Sequence, residues 1–301
     1  MEIHIKYFKL SDIIIQIISD LPIAEDTFHP KFKLFETSGP GKDTIRIYHH
    51  FSIPGKILKL LNQDNTKKIF SNSFLSVFKS EDSWIYEHKY SAEFNIRYNA
   101  VVLFNNEHTV GNVYTNDLDA FSYSKAKLSS VVLFGGDHYL ISNIFSSRKG
   151  LLLHANGLIY NGKGIVLLGK SGAGKSTLSG MLKANGFKMV ADDRIILQRK
   201  AKGLFLIGSW CHGSVIEVTN MEVMVDKIFL LEKALENRIT TLSSNREIVK
   251  HFAGSIVRPF GDQKKWADIL NQIDEIIKEK LFCSLLFDLS GEICRELKET
   301  L

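Results

Sequence analysis

Residues 169–177 read Gly169-Lys170-Ser171-Gly172-Ala173-Gly174-Lys175-Ser176-Thr177. The segment matches the phosphate-loop pattern Gly-x4-Gly-Lys-Ser/Thr at every required position. In such a loop, glycines let successive backbone N–H groups turn toward phosphate oxygens, and the helix that follows directs the positive end of its dipole to the same place. The segment therefore predicts a loop that binds ATP and Mg²⁺, with Lys175 near the β- and γ-phosphates and the Ser176 hydroxyl as a magnesium ligand.

The flanking sequence has the pattern that such a loop requires. A wholly apolar run, 165–168, precedes it and is typical of a strand buried within a sheet. Residues 175–184 carry apolar side chains at helical spacing and are followed by Asn185-Gly186, a helix-ending signal. A strand over 187–191 completes a strand, loop, helix and strand unit. This context separates a phosphate loop from a chance glycine-rich turn, and the glycine spacing does not fit a dinucleotide fingerprint.

Two acids, Asp192 and Asp193, directly follow the strand predicted over 187–191. Ligands of α/β sheets bind at the carboxyl ends of the strands, so we expect this pair beside the phosphate loop. One carboxylate can hold Mg²⁺, and the other can accept the proton of an attacking hydroxyl group. The alternative is a solvated turn, because Asp-Asp often ends a strand.

Histidine and tryptophan supply further candidates. His154 lies in the apolar segment 151–160, which we predict to be one strand, and a lone histidine there is more often a core residue than a site residue. Trp210 and His212 lie in the glycine-bounded segment 208–213. This segment predicts either an acceptor-binding loop, with Trp210 as an apolar wall and His212 as a hydrogen-bond donor, or a buried tryptophan corner. We expect an acceptor between this loop and the acids.

Composition excludes several classes of protein. Of the 301 residues, 45% are apolar and 24% charged, as in an ordinary globular protein, and the net charge of +5 comes without a basic arm, so nucleic acid is not an expected partner. No apolar run reaches the length of a membrane span and no signal peptide is recognisable, so we expect a cytoplasmic protein without a membrane partner. Three unevenly spaced cysteines argue against a disulfide framework or a cysteine zinc site.

The pattern of residues along the chain changes near residue 150. Residues 1–147 predict a strand-rich region, with strands over 44–48, 83–90, 94–104 and 130–134 and a helix over 137–148. Residues 148–301 predict an α/β domain built around the phosphate loop, which continues with a strand over 227–231, helices over 247–257 and 262–280, a strand over 281–287 and a last helix over 291–301. Because 1–147 contains no recognisable acid, base or phosphate pattern, we expect it to shape acceptor access or assembly. A homo-oligomer is left open.

Four short segments together resemble a known family: Leu153-His154-Ala155, Asn161-Gly162-Lys163-Gly164, residues 169–177 and Val190-Ala191-Asp192-Asp193. They resemble the kinase core of HPr kinase/phosphorylase, and are more similar still to the HPr-kinase-like serine kinases of peptide-modification clusters, including lasso-peptide kinases. The match is tight over 150–194 and looser beyond it. It implies an α/β phosphate-loop kinase core, 148–301, with a fold like phosphoenolpyruvate carboxykinase.

The resemblance also implies a reaction. The γ-phosphoryl group of ATP would pass, with Mg²⁺, to a serine hydroxyl of a peptide or protein. His154 would orient an aspartate, Asp192 would be the base and Asp193 the metal ligand, with the order within the pair left open. Arg258 is the nearest candidate for that family's C-terminal arginine, as a substrate contact, but its surroundings do not match, so the resemblance does not extend to HPr as the acceptor or to the phosphorylase reaction.

Two other functions remain compatible with the sequence. The first is a kinase of a free small molecule such as serine. The second is a nucleotide-binding regulatory module without a phosphoryl acceptor. The acidic pair argues against the second, because a sensor needs no base.

Overall fold

The computed structural model describes residues 2–61, 63, 65–91, 98–133, 136–213, 217–242, 244–261, 263–279 and 281–301. The chain is a mixed α/β protein with two large sheets, and it divides into two compact units, Met1–Leu140 and Ile141–Leu301. This division lies inside a helix. The functional boundary expected after residue 147 stays a prediction. Ile141, Ile144 and Phe145 of this helix, all of the second unit, are buried apolar residues.

The first unit is built on a nine-stranded sheet with the order β3-β1-β2-β4-β9-β8-β7-β6-β5. Its strands are β1 (His4–Leu10), β2 (Ile13–Ser19), β3 (Glu36–Thr37), β4 (Asp43–His50), β5 (Lys67–Ser71), β6 (Leu75–Lys79), β7 (Ser83–His88), β8 (Ala100–Asn105) and β9 (Val110–Tyr114). Its helices are α1 (Gly55–Leu60), α2 (Ala120–Ser124) and α3 (Asp137–Ser146), the last crossing the division between the units.

Two of the strands expected in the first unit differ from the structure. The strand expected over 130–134 is wrong for its described residues, which form a turn. The carboxylate of Asp137 accepts hydrogen bonds from the backbone N–H groups of Val131 and Val132, at 2.8 and 3.3 Å, and this side-chain pairing replaces a strand ladder. Residue 134 and residues 94–97 of the strand expected over 94–104 lie outside the described residues; the remainder of the latter contains β8.

The second unit is also built on a nine-stranded sheet. The main order is β10-β14-β15-β16-β12-β11-β13, with β18 pairing both β16 and β17. Its strands are β10 (Gly150–Leu153), β11 (Asn156–Tyr160), β12 (Lys163–Leu168), β13 (Lys188–Ala191), β14 (Ile195–Lys200), β15 (Gly203–Ile207), β16 (Glu222–Lys233), β17 (Arg238–Thr241) and β18 (Phe282–Phe287). Its helices are α4 (Lys175–Ala184), α5 (Asn245–Ser255), α6 (Gln263–Lys278) and α7 (Ile293–Thr300).

The apolar strand before the glycine-rich segment 169–177 is covered on both faces. Val166 and Leu168 of β12 pack into a core that includes residues of α5 and α6. Ile165 and Leu167 pack into a second core, with residues of α4 and α7. In a strand that is buried on both faces, apolar and polar residues do not alternate, because neither face meets solvent. This explains why residues 165–168 are all apolar.

The segment expected to be a single strand over 151–160 is broken at His154-Ala155. β10 pairs antiparallel with β14, whereas β11 pairs with β12 and β13. At the break, the N–H of His154 donates a 2.7 Å hydrogen bond to the carbonyl of Ser255 at the end of α5. His154 therefore lies in a turn between two strands, not inside a strand as the sequence pattern predicted.

Among the described residues, none of the helices combines the length and the apolar character needed to cross a membrane.

Candidate functional site

The glycine-rich segment connects β12 to α4. Gly172 and Gly174 have φ values of 81° and 92°, in the left-handed region that favours glycine. Gly174 directly precedes α4, and a Cβ built on it would lie 2.7 Å from the ring of Phe287, so space as well as backbone conformation requires glycine there. The expected strand, loop and helix are thus formed at the expected positions.

Lys175, the first residue of α4, turns back into the loop. Its Nζ donates to the carbonyl oxygens of Gly169 and Lys170 at 2.8 and 3.4 Å, and the residue is buried. Burial lowers the pKa of Lys175, and the negative charge of Asp193, which acts to raise this pKa, only partly offsets the effect. The lysine is therefore held at the loop by neutral acceptors that a phosphate oxygen could replace.

The loop and the acids enclose a single cavity of about 360 Å³. It brings together most of the residues that the sequence predicted and three that it did not single out as ligands, Asn156, Gly213 and Lys233. Its lining consists of His154, Asn156, Ser171, Gly172, Gly174, Lys175, Ser176, Thr177, Asp192, Asp193, Gly213 and Lys233. All of these belong to the second unit. Gly169, Lys170 and Ser171 border a smaller neighbouring cavity of about 160 Å³, together with His154 and residues of α5.

Asp193 lies at the centre of an ionic cluster. Nε2 of His154 contacts one of its carboxylate oxygens and the guanidinium of Arg194 contacts the other. Burial alone would raise the pKa of Asp193, but the hydrogen bond from His154 and the positive charge of Arg194 outweigh it and lower that pKa. The backbone of Asp193 has a φ of 68°, which is unusual for a residue other than glycine. Such backbone conformations cluster at functional sites.

Asp192 has a different environment. It is 6% exposed, and its Oδ1 accepts a 2.8 Å hydrogen bond from the side-chain amide of Asn156. Burial raises the pKa of Asp192, the negative charge of Asp193 adds to the increase, and the hydrogen bond from Asn156 opposes it. The two neighbouring acids thus have pKa values displaced in opposite directions, which is a common arrangement where one carboxyl group handles a proton and another stays ionised.

The remaining candidates fare differently. Trp210 is 0% exposed, so the prediction that it forms an apolar wall of the acceptor site is wrong. Its side chain belongs to the core, as the alternative of a buried tryptophan corner predicted. The glycine-bounded loop does return to the acids, because Gly213 lines the cavity, while Nδ1 of His212 lies 2.7 Å from the carbonyl oxygen of Gly213. Arg258 is not among the residues that line the cavity; its guanidinium lies 5.9 Å from the ring centre of Trp266.

The residues present fit a magnesium ion bound together with phosphates. Within the described ranges no group of three or more His, Cys, Asp or Glu side chains could hold a metal by itself. Mg²⁺ in nucleotide sites, however, takes one or two protein ligands and completes its shell with phosphate oxygens and waters. The hydroxyl of Ser176 and the ionised carboxylate of Asp193 line the same cavity and supply that number.

Comparisons with known proteins agree with the resemblance expected from sequence. The family model described as SynChlorMet cassette protein ScmC matches residues 124–278, just over half of the chain. An HPr kinase/phosphorylase from Chlorobium phaeobacteroides (strain BS1) is 32% identical over 89 residues, which are 29% of this chain and 26% of that protein. The chain thus spans about a quarter of the length of this curated relative. The solved structure of the HPr(Ser) kinase/phosphatase from Coxiella burnetii is 16% identical over 50% of this chain and 97% of that chain, with a TM-score of 0.27.

Proposed function

The chain belongs to the family of SynChlorMet cassette protein ScmC, and from that premise we propose that it is an ATP- and Mg²⁺-dependent kinase that phosphorylates a serine hydroxyl of a peptide or protein. The observation that carries the proposal is the single cavity shared by the glycine-rich loop, Lys175 and the two acids. The similarity of an 89-residue segment to an HPr kinase/phosphorylase supports the same reaction class. A phosphate-loop kinase core with a fold like phosphoenolpyruvate carboxykinase is part of this proposal.

Nucleotide binding follows from the loop. The backbone N–H groups of 171–175 and the start of α4 stabilise phosphate oxygens, and Lys175 exchanges its carbonyl partners for the β- and γ-phosphates. Ser176 and Asp193 would hold Mg²⁺, and the ion would supply positive charge to the phosphates. His154 and Arg194 hold the carboxylate of Asp193 in place, and its lowered pKa keeps it ionised.

Proton transfer is assigned to Asp192. Its raised pKa brings it nearer to the working range of a general base than an ordinary aspartate. As the acceptor oxygen bonds to the γ-phosphorus, the bond from that phosphorus to the β–γ bridging oxygen breaks and ADP leaves. The proton of the acceptor hydroxyl passes to the carboxylate of Asp192. Asn156 orients that carboxylate through its 2.8 Å hydrogen bond.

The acceptor site is proposed on the side of the acids away from the loop. An in-line nucleophile must approach from beyond the γ-phosphate, and Gly213 and His212 border that side through the contact of Gly213 with the cavity. No group of residues 1–147 is assigned to the chemistry in this proposal, and that region is assigned to acceptor access or assembly.

Phosphoryl transfer from labelled ATP tests the proposal. The purified full chain with Mg²⁺ is offered serine-containing peptides, the same peptides with alanine for serine, and free serine. We expect labelled phosphate on serine-containing peptides alone. Labelling of free serine would replace the proposal with a small-molecule kinase, and tight Mg-ATP binding with no labelling or hydrolysis would replace it with a regulatory module.

A further inference from the structure

The end of β16 lies at the same edge of the sheet as the glycine-rich loop. β16 runs parallel to β12, with Leu230 opposite Leu168, the last residue of β12. The carboxyl ends of parallel strands meet at one edge, so the residues that follow Leu230 run alongside the loop that follows Leu168. β16 continues to Lys233, which brings one more cation to this edge.

Side-chain alternation directs Lys233 to the loop. Residues two apart on a strand share a face, and Leu231 lies against the loop: a Cβ built on Gly169 would be 3.4 Å from Cβ of Leu231. The aliphatic chain of Lys233 crosses the start of α4, because a Cβ built on Gly174 would lie 2.9 Å from its Cε. The residue then lines the cavity that contains Lys175 and the acids.

With a bound nucleotide, the negative charges in the cavity would outnumber the positive ones. Asp192 and Asp193 are both negative when ionised, and a nucleoside triphosphate brings further negative charge to the same space. Arg194 is already paired with Asp193, and Lys175 contributes a single positive charge to a cavity that would hold several negative ones. Within the described part of the chain, no carboxylate pairs with Lys233, so its charge is available to a ligand.

We propose that Lys233 is a second phosphate-binding cation, which contacts the terminal phosphates of ATP from the β16 side of the cavity while Lys175 contacts them from the α4 side. This inference rests on the proposed function, because it assumes that the cavity binds a nucleotide. It adds a residue that the glycine-rich pattern does not contain, and it makes the site selective for nucleotides with two or three phosphates over monophosphates.

Calorimetry with Mg²⁺ and ATP, ADP or AMP tests this role. Lys233→Met keeps the aliphatic chain that crosses Gly174 and removes only the charge. We expect it to weaken ATP binding by roughly tenfold or more, the scale of a lost hydrogen bond between charged groups, and to leave AMP binding unchanged. Lys233→Arg should retain most of the ATP affinity. Lys188→Met, which removes an exposed charge at the far end of β13 outside the cavity, is the matched control.

The possible results separate the two claims. Wild-type ATP affinity in Lys233→Met, or an equal loss for ATP and AMP, would overturn the role of Lys233 while leaving the kinase proposal intact. Absence of binding of all three nucleotides to the wild-type protein would instead overturn the kinase proposal, and this inference with it.

Discussion

The side-chain amide of Asn156 donates a 2.8 Å hydrogen bond to the carboxylate of Asp192. The oxygen of the same amide accepts a 3.1 Å hydrogen bond from the backbone N–H of Asp193. Asn156 is 1% exposed and is the first residue of β11, directly after the break at His154-Ala155. One buried side chain therefore fixes both acids relative to the sheet.

The first prediction concerns the pH dependence of turnover. In Asn156→Ala the hydrogen bond that lowers the pKa of Asp192 is lost, so this pKa rises further above that of an ordinary aspartate. A general base works only when deprotonated, so activity falls as the pH falls through the pKa of the base. The acid limb of kcat/KM for ATP turnover should therefore move to higher pH in this variant.

Ser179→Ala provides the matched control for this experiment. Ser179 accepts a 2.9 Å hydrogen bond from the same amide of Asn156. In the part of the chain that the structure describes, Ser179 makes no hydrogen bond with Asp192. The charges of Asp193, Glu217 and Lys175, which also act on the pKa of Asp192, are unchanged in both variants. An acid limb at the same pH in Asn156→Ala and Ser179→Ala would rule out Asp192 as the titrating base.

The sequence predicted the elements around the loop well because their signals are local. β12, α4 and β13 depend on a strand covered on both faces, a glycine-rich turn and a helix-ending Asn-Gly, each visible within a few residues. The break at His154-Ala155 depends on distant partners, because Leu153 bridges to Ile256 and His154 bonds to Ser255. No periodicity within 151–160 reports contacts with residues a hundred positions away.

The same distinction separates the predicted site residues from those that were missed. Asp192 and Asp193 follow the loop along the chain, so strand-end reasoning found them. Asn156 and Lys233 reach the cavity only through strand pairing, β11 beside β13 and β16 beside β12. Lys233 had a partial signal, since it closely follows the short apolar run 228–231, and residues at the carboxyl end of such a strand are candidates for the binding edge of a sheet.

The second prediction concerns Lys175. Lys175→Ala should reduce ATP turnover by roughly a hundredfold or more, the usual scale for loss of a preorganised charge at the reacting centre. The fold should persist, because among the residues that the structure describes the Nζ of Lys175 bonds only to loop carbonyls. Turnover assays and thermal unfolding measured on the same preparation would check both parts.

Lys183→Ala is the matched control on the same helix. Lys183 pairs with Glu217 at 2.7 Å on the exposed side of α4, and loss of such a surface pair costs about 1 kcal/mol or less. Its turnover should equal that of the wild type. Wild-type turnover in Lys175→Ala as well would refute the assignment of the loop.

The third prediction divides the work between the acids. Asp192→Asn should abolish phosphoryl transfer and leave Mg-ATP affinity unchanged, because it removes a base and not a ligand. Asp193→Asn should also weaken the dependence on magnesium. Asparagine suits the left-handed backbone of Asp193, with φ of 68°, so the change tests the charge without a backbone penalty. Calorimetry with ATP at varied Mg²⁺ concentration measures the difference, and normal transfer in both variants would exclude the pair from the reaction.

The last prediction uses two glycines in different environments. A Cβ built on Gly213 would lie 2.7 Å from Cβ of Asp193 and 3.0 Å from its Oδ2, closer than side chains tolerate, although the backbone of Gly213 is not left-handed. In Gly213→Ala either the Asp193 side chain or the backbone at residue 213 must therefore shift. We expect the contacts of Asp193 with His154 and Arg194 to be disturbed and turnover to fall about tenfold or more, since small displacements of reacting groups have large effects. In contrast, a Cβ built on Gly180 within α4 meets no atom within 4 Å. Gly180→Ala should stabilise the protein by about 0.5–1 kcal/mol, by reducing the freedom of the unfolded chain, and leave turnover unchanged. Turnover and thermal unfolding of both variants provide the measurement. A Gly213→Ala protein that turns over ATP like Gly180→Ala would contradict the expected dependence of the reaction on the packing of Gly213 against Asp193.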